Sequence, residues 1–160
     1  MLQIKVVAVG KIKEKYLQAG IEEYTKRLRA YVKLETLELE DEPCSDRLSA
    51  AEEEQVKSKE GERILRRISS HDYCILLDVK GQEMDSLEIA DFLDDLALRG
   101  NSSLAFVIGG SLGLGANVYA RADYRWSLSK LTFPHQVIRL ILLEQLYRAS
   151  RISRGEPYHK

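Results

Sequence analysis

The stretch Leu104–Ser150 constrains the fold of this chain most. Its first run, Leu104–Ile108, is short, apolar throughout and stopped by Gly109 and Gly110, with Gly113 and Gly115 close behind. A run of that length without polar alternation reads as a strand buried on both faces. Tyr124–Leu128 reads as a second strand, ended by the polar turn Ser129-Lys130. Pro134 then opens a helix, a residue well suited to a first helical turn. The helix Pro134–Ser150 carries Val137, Ile138, Leu140, Ile141, Leu142, Leu143, Leu146 and Tyr147. Apolar residues on nearly every side, instead of along one stripe, predict burial on two sides. With the two strands taken as neighbours, their end loops beside this helix form a candidate ligand site at the carboxyl edge of an α/β sheet.

The rest of the chain repeats the alternation. Leu2–Val9 reads as a strand ending at Gly10. Lys13–Tyr31 reads as an amphipathic helix with Leu17, Ile21, Tyr24, Leu28 and Tyr31 on one face. Lys33–Leu39 alternates as a strand, and Glu40–Ser49, with Pro43, is an acidic loop. Ala50–Ile68 is helical but weakly periodic. Tyr73–Val79 is a buried strand followed by the turn Lys80-Gly81-Gln82. Asp85 caps the next helix, with Glu88 completing a capping box and Gly100 closing it. Strands alternating with helices predict an α/β fold, a mostly parallel sheet with helices on both faces. No internal repeat or linker divides residues 1–160, so a single domain is expected.

Composition narrows the function classes. The chain is 44% hydrophobic and 31% charged, as in soluble globular proteins. No apolar run approaches the roughly 20 residues of a membrane span. MLQIKVVAVGK at the N-terminus reads as a strand and lacks a signal-peptide pattern, so a cytoplasmic protein without membrane contact is expected. Cys44 and Cys74 have neither metal-ligand nor disulfide spacing, and no metal is expected. The net charge of −1 argues against nucleic acid, but its distribution does not. Residues 35–62 hold 11 acidic and 3 basic residues, while residues 121–160 hold 8 basic and 3 acidic. Such asymmetry marks either an anion-binding face or ordinary surface charge.

Three motifs are candidates for chemistry. The glycine cluster is not a dinucleotide fingerprint, because Val118 stands where the third glycine belongs, and no Gly-Lys-Ser/Thr makes it a phosphate loop. It remains either a tight turn or a loop that a flat ligand approaches closely. In SLSKLTFPHQ (Ser127–Gln136), Thr132 is a candidate helix cap, and free backbone N–H groups there suit an anion or a purine edge. His135 in the first helical turn reads more simply as a structural hydrogen bond than as a ligand. The tail gathers Arg151, Arg154, Tyr158, His159 and Lys160, arginine plus aromatics as in phosphate and base recognition, or else a frayed end.

The segments VGK (Val9–Lys11), FVIGGSLG (Phe106–Gly113), SLSKLTFPHQ, LLEQLYRA (Leu142–Ala149) and RGEPYHK (Arg154–Lys160) together closely resemble the ribosomal large subunit methyltransferase H family over essentially the whole chain. The resemblance implies a SPOUT fold, an α/β sheet whose C-terminal part is threaded into a trefoil knot, against the usual rule of unknotted connections. It implies a homodimer that uses S-adenosyl-L-methionine to methylate N3 of a pseudouridine in 23S rRNA on assembled ribosomes. The family's cofactor positions fall on Leu77, Gly109, Leu128, Ser129, Lys130, Leu131, Thr132 and Phe133. Tyr158 and His159 are then candidates for shaping the base pocket or assisting loss of the imide proton, and Arg154 for a phosphate or the imidate. Two rival readings are a nucleotide-dependent oxidoreductase on a parallel sheet and a non-catalytic ribosome-binding protein.

Overall fold

The computed structural model describes residues 1–160 and turns the alternation into five strands and five helices: β1 (Gln3–Val9), α1 (Lys15–Leu28), β2 (Lys33–Leu39), α2 (Ala50–Leu65), β3 (Tyr73–Glu83), α3 (Ser86–Leu98), β4 (Ser103–Ile108), α4 (Ala116–Arg121), β5 (Tyr124–Ser127) and α5 (His135–Ser153). The strands form one sheet in the order β2-β1-β4-β3-β5, and every neighbouring pair is parallel. Strand parity divides the core. Ile4, Val6, Ala8, Leu104, Phe106 and Ile108 join the larger apolar cluster with residues of α1, α3 and α5. Val7, Val9, Cys74, Leu76 and Val107 face the other way, toward Ile64 of α2 and Val118 of α4. Both sheet faces are therefore covered, as continuous apolar strands require.

Helix α5 lies between α1 and α3 on the larger layer. Leu142, Leu143 and Leu146 are at most 2% exposed, and burying each such side chain contributes roughly 1.5–3 kcal/mol. No residue from His135 to Ile152 is fully exposed. Burial on two sides is thus met within one chain, by α1 and α3, so the apolar helix does not by itself call for a partner. Its one deeply buried charge, Arg139, is held by the Glu38 carboxylate and the Gly10 carbonyl.

Local signals explain most boundaries. Asp85 and Glu88 form the expected capping box of α3, and Gly100 closes it at φ +92°. Ser49 and Glu52 make a second box at the start of α2, where the sequence shows Ser-x-x-Glu ahead of the helix. Other expectations need correcting. Thr132 does not cap α5, whose N-cap is Pro134 without any side-chain bond. The short helix α4 arises in a segment that carries no helical period of useful length.

The main departure is at β3. Lys80-Gly81-Gln82 does not end the strand, which runs on to Glu83. Leu77 and Gln82 both stand opposite Trp126, so Asp78–Gly81 are pushed out of the ladder between them. A Cβ at Gly81 would sit 2.6 Å from the Arg125 carbonyl carbon and oxygen. Only glycine lets the excursion return so close to β5. β3 also separates β4 from β5, so the glycine loop and the Ser129-Lys130 turn follow strands that are not neighbours.

Candidate active site

Leu77, Leu128, Ser129, Leu131, Thr132 and Phe133, all expected from the sequence, line one cleft together with Asp78, Val79, Trp126 and Ile138. The cleft lies at the carboxyl end of β3 and β5, against the first turn of α5. Its loop is tied locally: Ser127 Oγ donates to the Ser129 carbonyl (2.9 Å), and the Leu131 N–H donates to Ser129 Oγ (3.0 Å). The neighbouring amides of Lys130, Thr132 and Phe133 find no acceptor within the chain. Trp126, only 3% exposed, leaves its indole N–H without a partner as well. A buried, unbonded donor carries a penalty of about 1–3 kcal/mol, which applies to the Trp126 indole; the loop amides, on solvent-facing residues, are free to donate to a ligand beside apolar walls. That combination suits a ligand with a flat heteroaromatic body and several acceptor atoms, as an adenosine group has.

Two expected residues stand apart. Lys130 is exposed and belongs to the loop without lining the cleft. Gly109 ends β4 one strand away; the pairing of Leu76 with Val107 sets it level with Asp78, at the rim. Its lack of a side chain serves its own loop first. A Cβ there would lie 2.9 Å from Leu114 Cδ2 and 3.1 Å from the Gly113 backbone. The cleft volume is ≈100 Å³, below the roughly 300–1,000 Å³ of pockets that enclose a drug-sized ligand. One chain therefore offers a slot with an open side, and Val79 and Leu131 on its rim are 52% and 68% exposed. A larger cavity of ≈350 Å³ beneath α1 contains none of the candidate residues.

The tail is anchored, not frayed. Arg151 donates to Tyr31 Oη (2.9 Å) and to the Pro157 carbonyl (2.8 Å), and Tyr31 donates to Glu156 (2.6 Å). Tyr158 packs edge-on against Tyr147, with centroids 4.8 Å apart, and its hydroxyl meets Tyr24 Oη (3.2 Å) and Glu144 (3.1 Å). Burial, with these two hydrogen bonds and the Glu144 charge, pushes the Tyr158 phenol well above its usual range. It stays protonated and donates to Glu144. Arg148 stacks over the Tyr158 ring at 4.7 Å and directs a guanidinium N–H at His159 Nδ1, 3.2 Å away. Arginine can only donate, so Nδ1 is the acceptor in this contact. Arg154 caps the helix and lies 4.6 Å over the Tyr31 ring.

The chain does not bring its own tail to its own cleft. Ile138 lines the cleft and Arg148 meets His159, and ten residues of α5 separate them by about 15 Å at 1.5 Å per residue. Much of the basic excess also disappears into pairs: Arg121–Asp123, Arg139–Glu38, Arg148–Glu144 and Arg151–Glu156. Arg125, Lys130, Arg154 and Lys160 remain without an acidic partner. His135 makes no side-chain hydrogen bond and instead rests half-buried near Gly10, where burial and the Arg139 charge lower its pKa. Cys74 is inert, its thiol pushed up to about 11 by burial. No group of His, Cys, Asp or Glu is arranged to hold a metal ion, and no helix is long and apolar enough to cross a membrane.

The family model for predicted SPOUT methyltransferases matches residues 2–159. The chain belongs to the SPOUT methyltransferase family. Among its relatives, the ribosomal RNA large subunit methyltransferase H of Desulfitobacterium hafniense strain Y51 is 61% identical over 160 residues, 100% of both chains. The protein of the same name from Clostridioides difficile strain 630 is 57% identical over 159 residues, 99% of this chain and 100% of its own. Solved structures share the fold. A putative methyltransferase of Legionella pneumophila in complex with bound SAM aligns with a TM-score of 0.52 at 12% identity, over 92% of this chain and 66% of that one. A probable methylase family protein of Haemophilus influenzae aligns at 0.51 and 12%, over 98% and 70%.

Membership removes the oxidoreductase reading that the failed glycine fingerprint had already weakened. Within this SPOUT chain, sequence reasoning overlooked Trp126 and Ile138 in the cleft and Glu144 and Arg148 behind the tail. Trp126 is the single tryptophan, and tryptophan in a short strand is a signal in itself because its N–H needs a partner. Glu144 and Arg148 stand at i and i+4, a legible helix-surface pair.

Proposed function

We propose that this protein methylates N3 of a pseudouridine in 23S rRNA on assembled ribosomes, working as a homodimer with S-adenosylmethionine as methyl donor. Large-subunit rRNA methylation rests on the full-length relatives of that name. The cleft's unmet donors carry the cofactor assignment. Bound there, S-adenosylmethionine supplies an electrophilic methyl on its sulfonium. Leu77, Leu128, Leu131, Phe133 and Ile138 would hold it among apolar side chains and keep water out. The amides of Thr132 and Phe133, with the Trp126 indole, would donate to its acceptor atoms.

The substrate imide must lose its N3 proton before or during transfer. Tyr158, held as a phenol, is no base, and His159 Nδ1 is taken up by Arg148. These two groups therefore position the base by stacking and hydrogen bonding. Arg154, which has no acidic partner, provides a positive charge that favours the imidate, so the proton can leave to water. The dimer brings these tail groups of one copy over the cleft of the other. The ~15 Å gap within one chain, the open side of the cleft and the exposed Val79 and Leu131 support that arrangement. Incubation with ribosomes from cells lacking the endogenous enzyme, followed by nucleoside mass spectrometry, tests the reading. The expected product is one N3-methylpseudouridine per 23S rRNA; no product, or a methyl on another nucleoside, overturns it.

A further inference from the structure

We propose that the slot between Lys80 and Arg125, on the β5 edge beside the cofactor cleft, is a separate subsite for one unpaired RNA nucleotide that flanks the target base. The proposal rests on the rRNA reading above. The slot measures ≈380 Å³, and Lys80, Gly81, Gln82, Tyr119, Tyr124 and Arg125 form most of its wall. Asp78 joins it to the cleft: its side chain lines the cleft, takes the Tyr119 hydroxyl at 3.1 Å and takes the Lys80 N–H at 3.1 Å.

The chemistry of the slot selects a nucleotide. The Arg125 guanidinium lies 4.6 Å from the Tyr119 ring centroid, and the side chain is exposed with no carboxylate partner. Tyr119 is fixed at its other end by Asp78. Arg125 is therefore held as a flat cationic plate, while most arginines of the C-terminal half are consumed in ion pairs. Unstacked RNA bases settle on such guanidinium planes and on aromatic rings. Lys80, also unpaired and exposed, stands on the same rim as a phosphate contact, and the exposed Gln82 amide can reach a base edge. The acidic groups at the slot are already engaged: Asp123 accepts from Arg121 and from the Cys74 N–H, and Asp78 from Tyr119 and Lys80. Gly81 builds the rim. Its missing Cβ lets the Asp78–Gly81 excursion lie on the Arg125 backbone, which sets Lys80 and Gln82 next to the plate. A phosphate-only site would need neither the plate nor the amide.

The test compares wild type with Arg125→Ala, Arg125→Lys and Lys80→Ala, all at exposed positions. Three readouts are taken: kcat and KM on unmethylated ribosomes, S-adenosylhomocysteine affinity by calorimetry, and anisotropy of a fluorescent single-stranded RNA hexamer. Arg125→Ala should raise KM for ribosomes and the hexamer Kd about tenfold, the loss of one stacked base. Its kcat and S-adenosylhomocysteine affinity should stay as in wild type. Arg125→Lys should lose nearly as much, because it keeps the charge and loses the plane. Lys80→Ala should weaken hexamer binding and lower its salt slope by about one. An unchanged KM and hexamer Kd in Arg125→Ala overturns the subsite. So does full rescue by Arg125→Lys, which would mean charge alone, and so does a loss of S-adenosylhomocysteine affinity, which would assign the slot to the cofactor. Methyl transfer by wild type with Arg125-independent RNA binding sinks the subsite and leaves the enzyme reading. Arg125-dependent RNA binding without any methyl transfer does the reverse.

Discussion

The cleft and the tail are built in opposite ways. The cleft takes its polar contacts from backbone: a six-residue loop, Leu128–Phe133, with free amides, set between apolar side chains and beside the Asp78–Gly81 excursion of β3. The tail is mostly side chains, with Tyr158, Arg148, Glu144, Tyr147, Tyr24 and Tyr31 holding one another across three parts of the chain. A backbone site tolerates exchange of its side chains and fails when a peptide group is lost. A side-chain site fails one residue at a time. On the proposed reading, cofactor binding would rest on loop amides and substrate positioning on side chains that a partner copy would present.

The largest effect should come from the tail. His159→Ala should lower methyl transfer by about 100-fold or more, the scale of a lost substrate-positioning group. Melting temperature and S-adenosylhomocysteine affinity should not change, since His159 is exposed. Removing Glu156–Lys160 should abolish transfer and also lower the melting temperature, because Tyr158 packs on the main core and Glu156 is bonded to Tyr31 and Arg151. Full stability in the truncated protein would show that the anchored tail contributes nothing to folding.

Next comes the cleft. Thr132→Ala keeps the amide and should hold S-adenosylhomocysteine affinity within about threefold, whereas Thr132→Pro removes a donor and should cost about tenfold or more. Equal loss in both variants would make the cleft a side-chain site and erase the contrast.

Smaller effects come from pH at two groups outside both regions. His135, half-buried near Gly10, has a pKa held below its ordinary 6.5 by burial and the Arg139 charge. The unfolded chain then binds more protons as pH falls, so the stability from His135 is full above the histidine range and lost as pH drops through its folded pKa. His135→Gln should flatten the fall in melting temperature between about pH 7 and pH 5; an unchanged slope would contradict this. Glu60 shows the opposite sign. Burial raises its carboxyl, which accepts the Glu42 N–H at 2.9 Å next to the glycine loop. Its contribution is present at low pH and lost as pH rises through the folded pKa. Glu60→Gln keeps the acceptor without the charge and should gain about 1 kcal/mol, or about 2–4 °C, at neutral pH. A lower melting temperature there would show that the charge is stabilising.

Layer assignment was legible because it depends on short-range pattern. The run Leu104–Ile108, the Asp85–Glu88 box and Gly100 each report their own neighbourhood. Strand order was not legible, since nothing in Tyr73–Val79 reveals that it separates β4 from β5. The excursion at Asp78–Gly81 was read as a turn because Lys-Gly-Gln looks like one; its cause lies 44 residues on, in the backbone of Arg125. The cofactor positions came from the family resemblance, and the structure gathers six of them while leaving Lys130 and Gly109 at the margin. The tail looked frayed by composition, because the tyrosines that anchor it, Tyr24 and Tyr31, belong to the first fifth of the sequence.

Mixing two inactive variants tests the division of labour between copies most directly. Thr132→Pro weakens the cleft and His159→Ala disables the tail. With the cofactor limiting, each alone should keep only a small residual rate of methyl transfer to ribosomes. If each site joins the cleft of one copy to the tail of the other, random re-pairing after mixing should return about a quarter of wild-type activity, because half the dimers are mixed and each mixed dimer holds one intact site. Activity that stays at the level of the separate variants after subunit exchange, verified by mass spectrometry of the mixed dimer, would contradict the shared site and place both halves of the chemistry within a single chain.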